Sequence, residues 1–123
     1  MEFFREVRHA GLDVAQLKNL LTIGNLTSLC ASISMASSST ESEGEIYCVW
    51  GAFNVRRDEI RHGVRYALIN CPHALAWTVT YDDAQQHVIV HCTIDKADQD
   101  PEFIDSIQAF VSDWSSGMAL ALR

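Results

Sequence analysis

The sequence predicts an α+β domain with two layers, an antiparallel sheet of about four strands and helices packed on one face, in the order α-β-β-α-β-β-α. Three observations lead to this prediction. Alternating apolar residues mark two strand pairs, apolar residues at helical spacing mark three other segments, and 48% of the 123 residues are hydrophobic. That content is enough for one core, so we expect a single domain over residues 1–123.

The first helix is predicted over residues 13–24. Asp13 can cap its first turn, apolar residues recur at helical spacing, and Gly24 suits a left-handed cap at its end. Upstream, residues 1–12 have apolar residues on one helical side. We expect them to form a separate turn or the start of one bent helix.

The first strand pair is predicted within residues 28–53. A connector rich in Ser, Thr, Glu and Gly at 37–44 joins the two strands, and we expect it to be mobile. The strand before it alternates apolar residues with serine and cysteine. The strand after it, 45–53, is apolar on both faces, which indicates a central strand or one that a partner covers.

The second helix is predicted over residues 55–69. Asn54 can cap its start, Ile60, Val64 and other apolar residues form an inward stripe, and Pro72 lies just beyond its end. These features predict a helix between the two strand pairs.

The second strand pair, residues 75–95, shows the clearest pattern, because two alternating apolar rows flank a turn at 82–86. The last helix follows Asp100 as cap and Pro101 at its first position, and we expect it to cover the sheet. The predicted core includes Trp50, Ile60, Val64, Trp77, Val79, Val88, Val90, Phe103, Ile107, Phe110, Val111 and Trp114.

Arg57, Arg61 and Arg65 recur every four residues in the predicted second helix and would share its outward face. Two interpretations of this arginine stripe stay open. It is either a solvated helix face or a site for an anion or an acidic partner, because guanidinium groups bind carboxylate and phosphate through paired hydrogen bonds. The acidic segment 95–105 of a second copy is one such partner.

The polar face of the second strand pair is predicted to be a sheet face or an interface, formed by Thr78, Thr80, His87, Ile89 and His91. The two histidines are four positions apart, about 13 Å at a rise of about 3.3 Å per residue, too far to share one metal ion. A site drawn from His62, Cys71 and His73 lacks the spacing of structural zinc motifs. We therefore expect no metal and no cofactor.

Composition and motifs argue against several functions. The formal net charge of -7 disfavours nucleic acid, whose phosphates attract clustered Lys and Arg. The sequence has no Gly-rich phosphate loop, and Cys71 and His73 in a proline turn are not a catalytic pair, so a non-catalytic protein is favoured over an enzyme. No apolar run is long enough to span a membrane, and four scattered cysteines indicate free thiols and a cytoplasmic protein.

The sequence therefore predicts a small acidic interaction protein that forms a homodimer and binds a partner protein. The homodimer rests on apolar surface at 45–53, Ile89 and 117–123, which one helix layer would not cover unless residues 1–23 cover it within the chain. The other function class is a small-ligand-binding protein or enzyme with a pocket between sheet and helices. In the order of its elements and its acidity, the chain resembles the type III secretion chaperones, which implies an α+β dimer that holds a partner chain.

Overall fold

Seven antiparallel strands form one sheet in the computed structural model, which describes residues 1–95 and 100–123. The elements in chain order are β1 (Glu2–Arg8), α1 (Val14–Leu20), α2 (Leu26–Leu29), β2 (Ile33–Ser38), β3 (Glu43–Cys48), β4 (Gly51–Ile60), β5 (Gly63–Ile69), β6 (Ala76–Asp82), β7 (His87–Thr93) and α3 (Pro101–Ala121). The strands lie side by side in the order β1-β7-β6-β5-β4-β3-β2. β1 and β2 are therefore the two ends of the sheet.

The helices lie against one face of the sheet, which we call the inner face. Tyr66 of β5 shows this directly, because its hydroxyl donates to the carbonyl oxygen of Leu21 at the end of α1, 2.8 Å away. The same tyrosine ring lies 5.9 Å from the ring of Trp114 in α3. The opposite face, called the outer face, carries the alternate residues of each strand.

Three predicted elements are present, although the first helix ends at Leu20 and Gly24 does not form the predicted left-handed cap. The Asp13 carboxylate caps α1 by accepting a hydrogen bond from the backbone N–H of Ala15 at 3.0 Å. The Asp100 carboxylate caps α3 by accepting one from the backbone N–H of Glu102, also at 3.0 Å. The second strand pair forms β6 and β7, and its apolar row on β7 is fully buried as the alternation predicts. The C-terminal helix covers the inner face, which confirms an α+β fold of sheet and helix layers.

The predictions of about four strands and of the order α-β-β-α-β-β-α are wrong. Residues 55–69, predicted as the second helix, form β4 and β5, joined by the two-residue turn of Arg61 and His62. Val64 and Leu68, four positions apart, share the inner face of β5 as they would share one side of a helix, whereas Ile60 lies on β4, before the turn. The turn lacks the usual Asn-Gly or Asp-Gly signal, which is why the chain reversal was missed.

The N-terminal half also differs from the prediction. Residues 2–8 form β1 where a helical turn was predicted, and α2 occupies the beginning of the first predicted strand, which starts at Ile33. The stretch 45–53 is interrupted by a turn at 49–50 and belongs to two strands. The connector 37–44 is shorter than predicted, because the strands on either side extend into it and leave a turn at 39–42.

Four aromatic rings form the centre of the core, between the sheet and α3. Trp77 stacks on Tyr66 at 5.2 Å, meets the edge of Phe110 at 5.0 Å and lies 6.3 Å from Trp114. All four side chains are essentially inaccessible to solvent. Of the twelve predicted core residues, nine are buried, while Trp50, Ile60 and Phe103 are half-buried. We call the four rings the aromatic cluster.

Gly117, near the C-terminal end of α3, shows how closely α2 and α3 pack. A methyl group at this position would overlap the carbonyl oxygen of Leu29, the last residue of α2. Glycine to alanine in a helix ordinarily stabilises by about 1 kcal/mol. Here we expect Gly117→Ala to lower the free energy of unfolding by about 1–3 kcal/mol, measured by urea denaturation.

Ser116→Ala is the matched control, because Ser116 is exposed on the same helix. This variant should change the free energy of unfolding by less than about 0.5 kcal/mol. A Gly117→Ala protein more stable than the parent chain would contradict the close approach of α2 and α3.

Candidate functional site

A shallow depression on the outer face of β2 to β5 is the best-formed candidate for a binding site, and we call it the trough. Its apolar half has a volume of about 510 Å³ and is lined by Met35, Tyr47, Ala52 and Ile69. Met35 of β2 lies opposite Tyr47 of β3, which lies opposite Ala52 of β4. Antiparallel pairing therefore brings apolar side chains from three strands into one row.

The apolar side chains of the trough are unusually exposed. Met35 is 68% exposed, Tyr47 54% and Ile69 40%. Single exposed apolar residues are common on proteins, but a contiguous group of them on one surface is typical of an interaction site. The trough is therefore a surface at which burial by a partner would be favourable.

The polar half of the trough adjoins the apolar half and has a volume of about 630 Å³. Glu43 and Arg56 lie opposite each other on β3 and β4 and line this half, together with Glu45 and Asn54. The guanidinium of Arg56 also lies 3.6 Å from the carboxylate of Asp58. Both charge signs are thus available at the rim of the apolar surface.

The space between sheet and α3 is occupied by the aromatic cluster. The indole N–H groups of Trp77 and Trp114 are buried and have no hydrogen-bond partner within residues 1–95 and 100–123. The Tyr66 hydroxyl is satisfied by the Leu21 carbonyl, and burial raises the pKa of this phenol. The interior is therefore apolar, with two buried donors.

The predicted arginine stripe does not exist as one surface, because residues 55–69 are two strands. Arg57 points to the inner face and is buried, with 7% exposure. Arg65 is exposed on β5 opposite Asp58, and Arg61 lies in the exposed turn between β4 and β5. In a strand, residues 57 and 65 are separated by a chain reversal, so their spacing of eight no longer places them together.

Arg57 is held by hydrogen bonds to the backbone of the helix α1 and the residue after it. Its Nε donates to the carbonyl oxygen of Leu21 at 2.6 Å, and its Nη2 donates to the carbonyl oxygen of Lys18 at 2.9 Å. Its Nη1 lies 3.3 Å from the carboxylate of Glu59. Carbonyl groups at the end of a helix lack intrahelical partners, so this guanidinium caps the C-terminus of α1.

The five residues predicted on the polar face of the second strand pair do lie on the outer face, where they are half-buried: Thr78, Thr80, His87, Ile89 and His91. β1 lies beside them, with His91 3.1 Å from Glu2 and His87 3.4 Å from Glu6. Sequence reasoning missed these pairs because it placed residues 1–12 in a helical turn. Protonation of the imidazoles would make both contacts ion pairs.

Within the described part of the chain, no three His, Cys, Asp or Glu side chains are grouped so as to hold a metal ion. The described helices also include none long and apolar enough to cross a membrane. The trough was missed by sequence reasoning because no register was predicted for the first strand pair, and it is the register that places Met35 beside Tyr47. The signal that points to it is the two-sided apolar pattern at 45–53.

Comparison with known proteins shows the fold. No protein-family model and no curated protein matches the chain. Among solved structures, an uncharacterised protein from Bacillus thuringiensis is similar, with a TM-score of 0.65 and 15% identity over 99% of this chain and 97% of that one. A START superfamily protein from Mycobacterium smegmatis has a TM-score of 0.61 and 7% identity over 99% of this chain and 95% of that one.

The role of Arg57 can be measured by replacing it with methionine, which keeps most of its length. We expect Arg57→Met to lower the free energy of unfolding by about 2–4 kcal/mol, because two buried carbonyl groups lose a charged donor. Arg65→Met, at an exposed position, should change it by less than about 0.5 kcal/mol. Urea denaturation of both variants makes the comparison, and equal losses would contradict a capping role.

Thiol reactivity tests the placement of the four cysteines. Burial raises the pKa of Cys30 and of Cys92 to about 12 and also raises the pKa of Cys48, so these groups carry little thiolate near neutral pH. Cys71 is half-buried. We expect Ellman's reagent to titrate one thiol quickly in the folded chain and none in Cys71→Ser. Fast reaction of a second thiol would contradict the buried positions.

Proposed function

We propose that this chain is a non-catalytic binding protein that holds an apolar segment of a partner protein in the trough. The exposed group of Met35, Tyr47 and Ile69 is the observation that carries the proposal. A surface of this kind lowers solubility unless something covers it for part of the time. The polar half of the trough supplies Glu43 and Arg56, which would orient a partner that carries charges beside its apolar residues.

The energetics fit a reversible interaction. Full burial of one large apolar side chain contributes about 1.5–3 kcal/mol, and these three side chains are already partly covered. Their complete burial therefore contributes roughly 3–5 kcal/mol, from which the cost of association must be subtracted. A micromolar dissociation constant corresponds to about 8 kcal/mol, so we expect a millimolar or weaker affinity for the apolar half alone and a tighter one only where the partner also contacts the polar half.

We also propose that the protein acts in the cytoplasm. All four cysteines are free, and Cys30, Cys48 and Cys92 are buried in the core as reduced thiols. Proteins that fold in oxidising compartments usually join such residues in disulfides, whereas reduced core cysteines are ordinary in the cytoplasm.

A small-ligand-binding protein is the second candidate function, favoured by the two buried indole N–H groups of Trp77 and Trp114. A buried donor without a partner costs free energy, and a small ligand with an acceptor atom between sheet and α3 would recover it. Such a ligand must displace or separate rings of the aromatic cluster, because their centroids lie only 5.0–6.3 Å apart. This cost makes the trough the preferred site.

Photo-cross-linking inside the cell that makes the protein tests the proposal. With p-benzoylphenylalanine in place of Tyr47, irradiation should give an adduct with one defined protein, identified by mass spectrometry. The same amino acid in place of Phe4, 59% exposed on β1, is the matched control and should give no such adduct. Identical adducts at both positions would contradict the trough as the binding surface.

The second candidate predicts a different result from the same cells. The purified chain would then retain a small molecule at unit stoichiometry in native mass spectrometry, and its removal would change tryptophan fluorescence. That result, together with no protein adduct at Tyr47, would replace the proposed function by ligand binding in the interior.

A further inference from the structure

The two ends of the sheet differ in charge. β1 carries four charged side chains among its seven residues: Glu2, Arg5, Glu6 and Arg8. β2, with the sequence ISMASS, carries none. Natural sheets guard unpaired end strands with charged residues, because an uncharged edge pairs readily with another strand. The β2 edge, whose pairing with β3 is irregular between Ile33 and Met35, is therefore the edge that is not guarded by charge.

Both end strands contact a helix, β1 through α3 and β2 through α2, so the two ends differ in charge and not in helix packing. β2 pairs with β3 on one side, and within residues 1–95 and 100–123 no strand pairs with its other side. Met35 and Ser37 of β2 are both exposed. The free edge of β2 is thus accessible to another strand.

We propose that β2 pairs antiparallel with β2 of a second copy of this chain and joins two sheets into one continuous sheet. Antiparallel pairing of a strand with itself has twofold symmetry and closes at two copies. Growth beyond a dimer is prevented because the two remaining edges are the charged β1 strands. With the twofold axis perpendicular to the sheet, both outer faces lie on the same side and the two Met35 side chains come close to the axis.

Electrostatic repulsion does not oppose this contact, although each chain has a formal net charge of -7. The charged residues on the neighbouring strand are Glu43 and Glu45 of β3. At a strand spacing of about 4.8 Å, the two β3 strands of the dimer lie about 14 Å apart. This distance exceeds the Debye length of about 8 Å at physiological salt, so the repulsion is largely screened.

Met35 supplies the apolar part of the contact and explains why the occupant is a second copy. Its side chain is 68% exposed and lies beside Tyr47. The same strand of a second copy presents an identical apolar side chain on the same face of the joined sheet. The pairing also extends the apolar half of the trough across the twofold axis. A strand of six residues makes a small interface, below about 1,200 Å², and we expect a dissociation constant of about 1–100 µM.

Sedimentation equilibrium of the purified full chain tests the dimer. Between about 1 and about 300 µM, we expect the mass to rise from 13.7 kDa towards twice that value. Met35→Lys combined with Ser37→Lys adds guarding charges to the edge and should weaken the dimer at least about tenfold. Phe4→Lys adds a lysine at a similarly exposed position of β1 and should change the dissociation constant less than about twofold.

Cross-linking provides a second measurement that does not depend on the equilibrium constant. Met35→Cys in a Cys71→Ser background leaves one accessible thiol near the proposed axis, and a short bismaleimide should give a covalent dimer. Phe4→Cys in the same background should stay monomeric.

Three results would overturn the proposal: a mass of one chain at every concentration, a dimer that the β2 lysines do not weaken, or cross-linking of Met35→Cys only to a different protein in cell extract. The proposal does not rest on the partner-binding function, because the dimer is measured on the purified chain alone and the partner is measured by adducts at Tyr47.

Discussion

The contact between Trp77 and three other aromatic rings determines how the sheet and α3 fit together. Tyr66 and Trp77 come from neighbouring strands, Phe110 and Trp114 come from α3, and all four are fully buried. Aromatic pairs at these distances add about 0.5–1.5 kcal/mol each beyond the burial of their area. Because the rings occupy the space between the layers, the surfaces left for other molecules are on the outer face and at the edges of the sheet.

The position of α1 depends on a different kind of interaction. Arg57 brings a charge to the inner face of β4 and uses it to bind the carbonyl groups of Lys18 and Leu21. The Tyr66 hydroxyl donates to the same Leu21 oxygen, so one helix end is held by two neighbouring strands. A buried guanidinium is tolerated here because it replaces lost water contacts with carbonyl acceptors and a carboxylate of Glu59.

Arg57 also explains which parts of the fold could be predicted from the sequence. β6, β7 and α3 follow regular apolar periods and have ordinary caps and turns, so pattern alone predicts them. In β4, an arginine occupies an inward position and breaks the alternation, while Val64 and Leu68 on β5 have a spacing of four that also fits a helix. Local pattern cannot decide between these structures. The strand with which each segment pairs determines its structure, and those pairing contacts are not encoded in the local pattern.

The candidate site was harder to predict for a related reason. The two-sided apolar character of 45–53 was visible in the sequence, and Tyr47 is exposed in the structure. The division of this stretch at 49–50 was not visible, so Tyr47 and Ala52 could not be placed side by side. Interaction surfaces made by cross-strand pairs depend on register, and a shift of one residue moves every side chain to the other face.

The two ends of the sheet show how one fold can limit its own association. A sheet with two uncharged edges can add copies without end, whereas a sheet with two charged edges adds none. This chain has one of each, since β1 bears four charged side chains and β2 bears none. With the interior filled by aromatic rings, the neutral edge and the trough beside it form one continuous surface on which Met35 is shared. In the proposed dimer, association at this edge would therefore extend the trough, so the dimer and partner binding would be coupled through β2.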